Sequence, residues 1–132
     1  MDKPLALIIE DDADLSAIFS MALRGGGFDT EIVSDGRAAI DRLAGVPPVV
    51  VVLDLHLPNV GGATILQQLR ADQRFAKTSV IVTTADAQMA GDLRGIADLV
   101  LLKPVSVDQL RELGKRMLQR WQENEGSADP LS

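Results

Sequence analysis

Short apolar runs recur along the chain at Leu5 to Ile9, Val49 to Leu53, Val80 to Val82 and Leu99 to Leu102, with a weaker one at Thr30 to Val33. Each is three to five residues long and rich in β-branched or aliphatic side chains, which predicts strands. Between them the apolar positions change to helical spacing: Leu15, Ile18, Phe19, Ala22 and Leu23; then Ala39, Ile40 and Leu43; then Ile65, Leu66 and Leu69; then Met89, Leu93, Ile96 and Ala97. Leu110, Leu113, Met117 and Trp121 trace one face of a longer final helix. Strands that are apolar without alternation are buried on both faces, and strands alternating with helices need crossover connections. The pattern therefore predicts a doubly wound α/β domain with a five-stranded parallel sheet and helices on both faces.

Local punctuation agrees with these boundaries. Gly25-Gly26-Gly27 closes the first helix, Asp35-Gly36 opens the second, and Pro47-Pro48 precedes the third strand. Ser106 with Gln109 three residues on forms a capping box for the final helix. Beyond Gln122 the sequence ENEGSADPLS is polar, so one domain is expected over 1–122 and a frayed tail over 123–132.

Composition narrows the function classes. The 132 residues are 46% hydrophobic, enough to build one core, and the absence of cysteine excludes disulfides, thiolate metal sites and cysteine nucleophiles. Thirteen basic against nineteen acidic residues give a net charge of −6, which opposes attraction to phosphate backbones. Direct nucleic-acid binding is therefore not expected. The start MDKPLALIIEDD lacks a secretory pattern, and the longest apolar run falls far short of the ~20 residues of a membrane span. A cytoplasmic protein without membrane insertion is expected.

In an open parallel sheet, function gathers outside the carboxyl ends of the strands. Glu10, Asp11 and Asp12 follow strand one, Asp54 ends strand three, Thr83-Thr84 end strand four, and Lys103-Pro104 follow strand five. Carboxylates converging from adjacent strand ends repel one another and call for a compensating cation. Magnesium, which accepts a few carboxylates and completes its shell with water and phosphate oxygens, suits such a site. Lys103 adds a second positive charge, and Thr84 a hydroxyl able to bond a phosphoryl oxygen.

The strings LIIEDD, VVVVLDLHLP with Gly62 following, VTTA and LLKP stand in this order at the predicted strand ends. Together they resemble the receiver domain of two-component response regulators over residues 4–122. The resemblance implies a flavodoxin-like sheet of order 2-1-3-4-5. It also implies that Glu10 and Asp11 are the acidic pair, Asp54 the phosphoacceptor, Thr84 the switch hydroxyl and Lys103 the lysine of the site. The Lys103–Pro104 bond matches one that is usually cis in the family. Magnesium would be held by Asp11 and Asp54, by Glu10 through water and by the backbone carbonyl of His56. His56 and Asp86 would stand at the mouth and tune the acyl phosphate lifetime.

The implied function is to take a phosphoryl group from a histidine kinase or histidine phosphotransfer protein and to signal by shape to a downstream protein target. Such a chain is a signalling phosphoacceptor, and catalyses only its own phosphorylation and dephosphorylation. The alternative is a receiver-like interaction module that works without phosphorylation. An aspartate-based phosphatase wants a second acid where His56 stands, and a flavodoxin wants a hydroxyl-rich loop where EDDAD stands.

Several residues have plainer readings. Asp12 and Asp14 suit the N-terminus of the first helix, and one of Thr83 and Thr84 is an ordinary β-branched strand residue. The His56 side chain is expected to be exposed. Arg111, Lys115, Arg116 and Arg120 form a basic stripe that is either a solvated face or a docking surface. Trp121, on the apolar face, is expected to be buried. Three residues before Lys103 the family usually carries Tyr or Phe, where this chain has Val100, so the ring whose rotation couples site to surface is missing. The stretch from Thr84 to Lys103 is also short for the family, and Gly91 and Gly95 weaken helix formation there. A reduced fourth helix is expected.

Overall fold

The computed structural model describes residues 3–127. Five strands, β1 (Leu5–Ile9), β2 (Asp29–Val33), β3 (Val50–Asp54), β4 (Ser79–Thr84) and β5 (Leu99–Leu102), alternate with α1 (Ala13–Gly25), α2 (Gly36–Leu43), α3 (Gly62–Ala71), α4 (Ala87–Leu93) and α5 (Val107–Ser127). All strand pairs are parallel, and the order is β2-β1-β3-β4-β5. The winding direction reverses on either side of β1, which opens the crevice between the ends of β1 and β3.

The uninterrupted apolar runs have a direct cause. Leu7, Ile9, Val51, Leu53, Val80 and Val82 pack on one side of the sheet against α2, α3 and α4, through Ala39, Leu43, Ile65, Leu66, Leu69, Met89 and Leu93. Ala6, Ile8, Val50, Val52 and Ile81 face the other side, where Phe19 and Leu23 of α1 and Leu110 and Met117 of α5 cover them. Successive side chains enter opposite cores, so both parities must be apolar. Within β1, β3 and β4 a carboxylate stands only at the last position of β3, Asp54, and Glu10 follows directly after β1.

Helix starts follow the sequence signals. The Asp12 carboxylate accepts from the Leu15 N–H at 2.9 Å, the Asp35 carboxylate from the Ala38 N–H at 2.8 Å, and Ser106 Oγ from the Gln109 N–H at 3.2 Å. Asp12 thus serves as a cap, as its plainer reading required.

Four expectations need correction. The β5 run is not buried on both faces, because β5 is an edge strand, and Leu102 is 46% exposed. The fourth helical segment stops at Leu93, since Arg94 turns extended and Gly95 takes φ +93°, so Ile96 is left exposed while Ala97 still reaches the core. Trp121 is half-buried against the α1/α5 core rather than enclosed. The polar segment expected to fray after Gln122 is helical as far as Ser127, and residues 128–132 of that expected tail lie outside the described residues. The shortness of α4, at 7 residues, agrees with its sequence.

Candidate functional site

At the carboxyl edge of the sheet, β1 delivers Glu10, the turn into α1 delivers Asp11, and β3 delivers Asp54. One carboxylate oxygen of each lies within 4.8 Å of the others. Glu10 and Asp54 are 2% and 3% exposed, whereas Asp11 opens to solvent. From the end of β5, Lys103 places its ammonium Nζ 3.1 Å from Glu10 Oε1 and 3.5 Å from Asp54 Oδ1. The peptide bond from Lys103 to Pro104 is cis.

Backbone amides complete the arrangement. The Asp12 N–H donates to Glu10 Oε2 at 3.2 Å, and the His56 N–H donates to Asp54 Oδ1 at 3.1 Å. His56 thereby meets Asp54 through its main chain, while its side chain is exposed. Burial pushes the Glu10 carboxyl up from its ordinary 4.5 to about 7; the Asp12 amide and Lys103 pull it down, and Asp54 adds to the rise. Burial works against the Lys103 ammonium, yet its bond to Glu10 and the charges of Asp54 and Glu10 outweigh it, so its pKa stands above the ordinary value.

Three acidic side chains against one ammonium leave the cluster short of positive charge. Hard carboxylate oxygens this close, two of them buried, favour a hard divalent cation. That chemistry agrees with magnesium.

The two threonines separate as follows. Thr83 pairs in register with Asp54 across β3 and β4, and its hydroxyl is fully buried with no hydrogen-bond partner among the described residues. Thr84, one residue on, is also fully buried, and its Oγ1 accepts from the Asp86 N–H at 3.1 Å. Asp86 in turn caps α4, its Oδ1 accepting from the Gln88 and Met89 amides at 2.9 and 3.1 Å. The structure therefore brings Glu10, Asp11, Asp54 and Lys103 together, and ties Thr84 to α4 instead of to the carboxylates. The orphan hydroxyl of Thr83 and the link from Thr84 to Asp86 were beyond the sequence, because a Thr-Thr pair does not reveal which hydroxyl finds a donor.

The basic stripe on α5 is largely paired: Arg111 with Asp108 at 2.8 Å, Lys115 with Glu112 at 3.4 Å, and Arg120 with Ser79 Oγ at 3.2 Å.

The sequence profile of the response regulator receiver domain matches residues 6–115. The chain belongs to this receiver domain family. Among its relatives are the DNA-binding dual master transcriptional regulator RpaA of Synechocystis sp., 34% identical over 120 residues that make up 89% of this chain and 50% of that protein. Another is the transcriptional regulatory protein TrcR of Mycobacterium tuberculosis, 34% identical over 93% of this chain and 48% of that protein. The receiver thus spans about half the length of the curated relatives it matches. Among solved structures, the signal receiver domain of a Luxo repressor protein from Vibrio parahaemolyticus superposes with a TM-score of 0.83 at 26% identity, covering 96% of this chain and 98% of that one. The BeF3-activated DrrB receiver domain gives 0.77 at 25% identity, over 91% and 100%.

One expectation falls with these relatives. The net charge excluded nucleic acid as a partner, yet RpaA and the MtrA proteins are named as DNA-binding regulators. A charge of −6 describes the surface of the receiver stretch alone, and an exclusion drawn from it does not extend to a regulator twice as long. Among the described residues, no helix is long and apolar enough to cross a membrane.

Proposed function

We propose that this receiver is a cytoplasmic phosphoacceptor, with Asp54 taking a phosphoryl group from a histidine kinase or histidine phosphotransfer protein in a magnesium-dependent reaction. The observation that carries the reading is the cluster itself: Glu10, Asp11 and Asp54 within 4.8 Å, with the Lys103 ammonium bridging the two buried acids. Glu10, Asp11, Asp54 and the His56 carbonyl would hold magnesium, which when bound supplies positive charge to the phosphoryl oxygens.

The chain's own residues do the rest. Asp54 is held by the His56 amide, which leaves its second oxygen to attack phosphorus in line with the donor's P–N bond. One P–O bond forms as the P–N bond breaks, and the imidazole leaves with its electron pair. Lys103, already within 3.5 Å of Asp54, moves to the transferred oxygens, and the Thr84 hydroxyl turns from Asp86 to donate to one of them. His56 and Asp86 flank the path that a hydrolytic water must take. The receiver acts on no other substrate, and its output passes to a downstream protein target or to DNA binding of the kind RpaA and MtrA are named for.

Intact mass after incubation with magnesium and acetyl phosphate tests this reading. Wild type gains one phosphoryl mass and Asp54→Asn gains none. An unlabelled wild type under conditions that label another receiver supports instead the phosphorylation-independent module; equal labelling of Asp54→Asn moves the acceptor elsewhere.

A further inference from the structure

The loop from β3 to α3 carries the His56 carbonyl, and two glycines clamp it. Gly62, at the start of α3, packs its bare Cα face against the loop's base, where a Cβ would sit 2.4 Å from the Asp54 carbonyl oxygen and 2.7 Å from Leu55 Cα. Gly36, the first residue of α2, meets the loop further along, at Val60. A Cβ there would fall 2.1 Å from the Val60 carbonyl oxygen and 2.8 Å from the Val60 carbonyl carbon. The Gly36 N–H also donates to the Pro58 carbonyl at 3.2 Å. The Val60 Cβ would also stand 2.7 Å away, so the atoms that would have to yield are main chain and a Cβ bonded directly to it, not a flexible side-chain tip.

We infer that Gly36 is a positioning residue for the cation: its bare backbone sets how deeply the 56–60 loop seats, and so where the His56 carbonyl stands. This inference rests on the phosphoacceptor reading above. The loop is the softer partner in the contact. The start of α2 is fixed by the Asp35 cap, and Ala39 and Leu43 anchor the helix in the core. His56, Pro58 and Asn59 are exposed, and Asn59 sits at φ 71°, in the left-handed region. A methyl group at position 36 therefore displaces the loop by about 1 Å before ordinary contact is restored, a distance on the scale that degrades a preorganised site.

Magnesium and calcium should feel this differently. Magnesium demands near-octahedral geometry with short bonds, whereas calcium accepts variable number and angle. The test is calorimetric titration of each cation into wild type, Gly36→Ala and Gly61→Ala, since a Cβ at Gly61, on the same loop, meets nothing within 4 Å. Gly36→Ala should weaken magnesium at least tenfold and calcium by much less, with Gly61→Ala matching wild type for both. Unchanged magnesium affinity in Gly36→Ala, or an equal loss for the two cations, overturns the inference. Should Gly36→Ala not fold, wild type decides: amide exchange at Gly36 slows when magnesium binds if the brace is shared, and an unchanged rate overturns it. A wild type that binds no magnesium defeats the phosphoacceptor reading itself, and the inference with it.

Discussion

Lys103 at the end of β5 donates to Glu10 at the end of β1, at 3.1 Å, across a sheet in which β3 and β4 lie between them. The ammonium stands nearer to Glu10 than to Asp54, so in this state the lysine is held more closely by the acid that is not the proposed phosphoacceptor.

Glu10 makes the metal-free receiver sensitive to pH. Its carboxyl titrates near 7 in the folded chain against an ordinary 4.5, mainly because it is buried. Between those values the folded state holds a proton that the unfolded state has released, so stability falls as pH rises through this window and is flat above it. Urea denaturation at pH 5 and pH 8 in chelator should show a larger decline for wild type than for Glu10→Gln. Parallel declines would refute the assignment.

Asp11 should oppose folding until a cation arrives. It is exposed, yet its oxygen lies within 4.8 Å of two buried carboxylates. Asp11→Ala should raise metal-free stability by up to about 1 kcal/mol, the scale of an exposed charge pair. Magnesium at ~10 times its Kd should add roughly 1.4 kcal/mol to wild type and almost nothing to the variant. Thermal melts with and without magnesium measure both, and a wild type unmoved by saturating metal would count against the site.

Activation should travel through Asp86 rather than through position 100. Val100 has one stiff torsion and packs against the α2–α4 core, so no ring swings there. If Thr84 turns toward the phosphoryl group, the Asp86 amide loses its acceptor beside the cap that starts α4. Adding a beryllofluoride mimic should shift amides over residues 85–98 with the Val100 rotamer unchanged. Shifts confined to the strand ends would rule this route out. Asp86→Ala should cost about 1 kcal/mol as a lost cap, read by denaturation.

Gly91 gives the opposite sign. It lies inside α4 and a Cβ there meets nothing within 4 Å. Gly91→Ala should stabilise the receiver by roughly 0.5 to 1 kcal/mol, and a lower urea midpoint would show that α4 needs the glycine's freedom.

The sequence by itself determined the strands, the caps and the convergence of acids and lysine, because these depend on local pattern and on the rule that parallel strand ends share one edge. Asp12, Asp35 and Ser106 cap helices with partners three residues away, a distance the chain cannot help but sample. Tertiary structure decided what depends on residues remote in sequence. Whether Leu102 is covered turned on β5 lying at the edge, and whether Ile96 is helical turned on the bend at Gly95. Thr83 and Thr84 are alike as letters, and only the register opposite Asp54 and the donor at Asp86 separate them. Gly36 reads in sequence as a helix start, and its closeness to Val60 arises because α2 and the β3–α3 loop are brought together by the fold rather than by the chain between them.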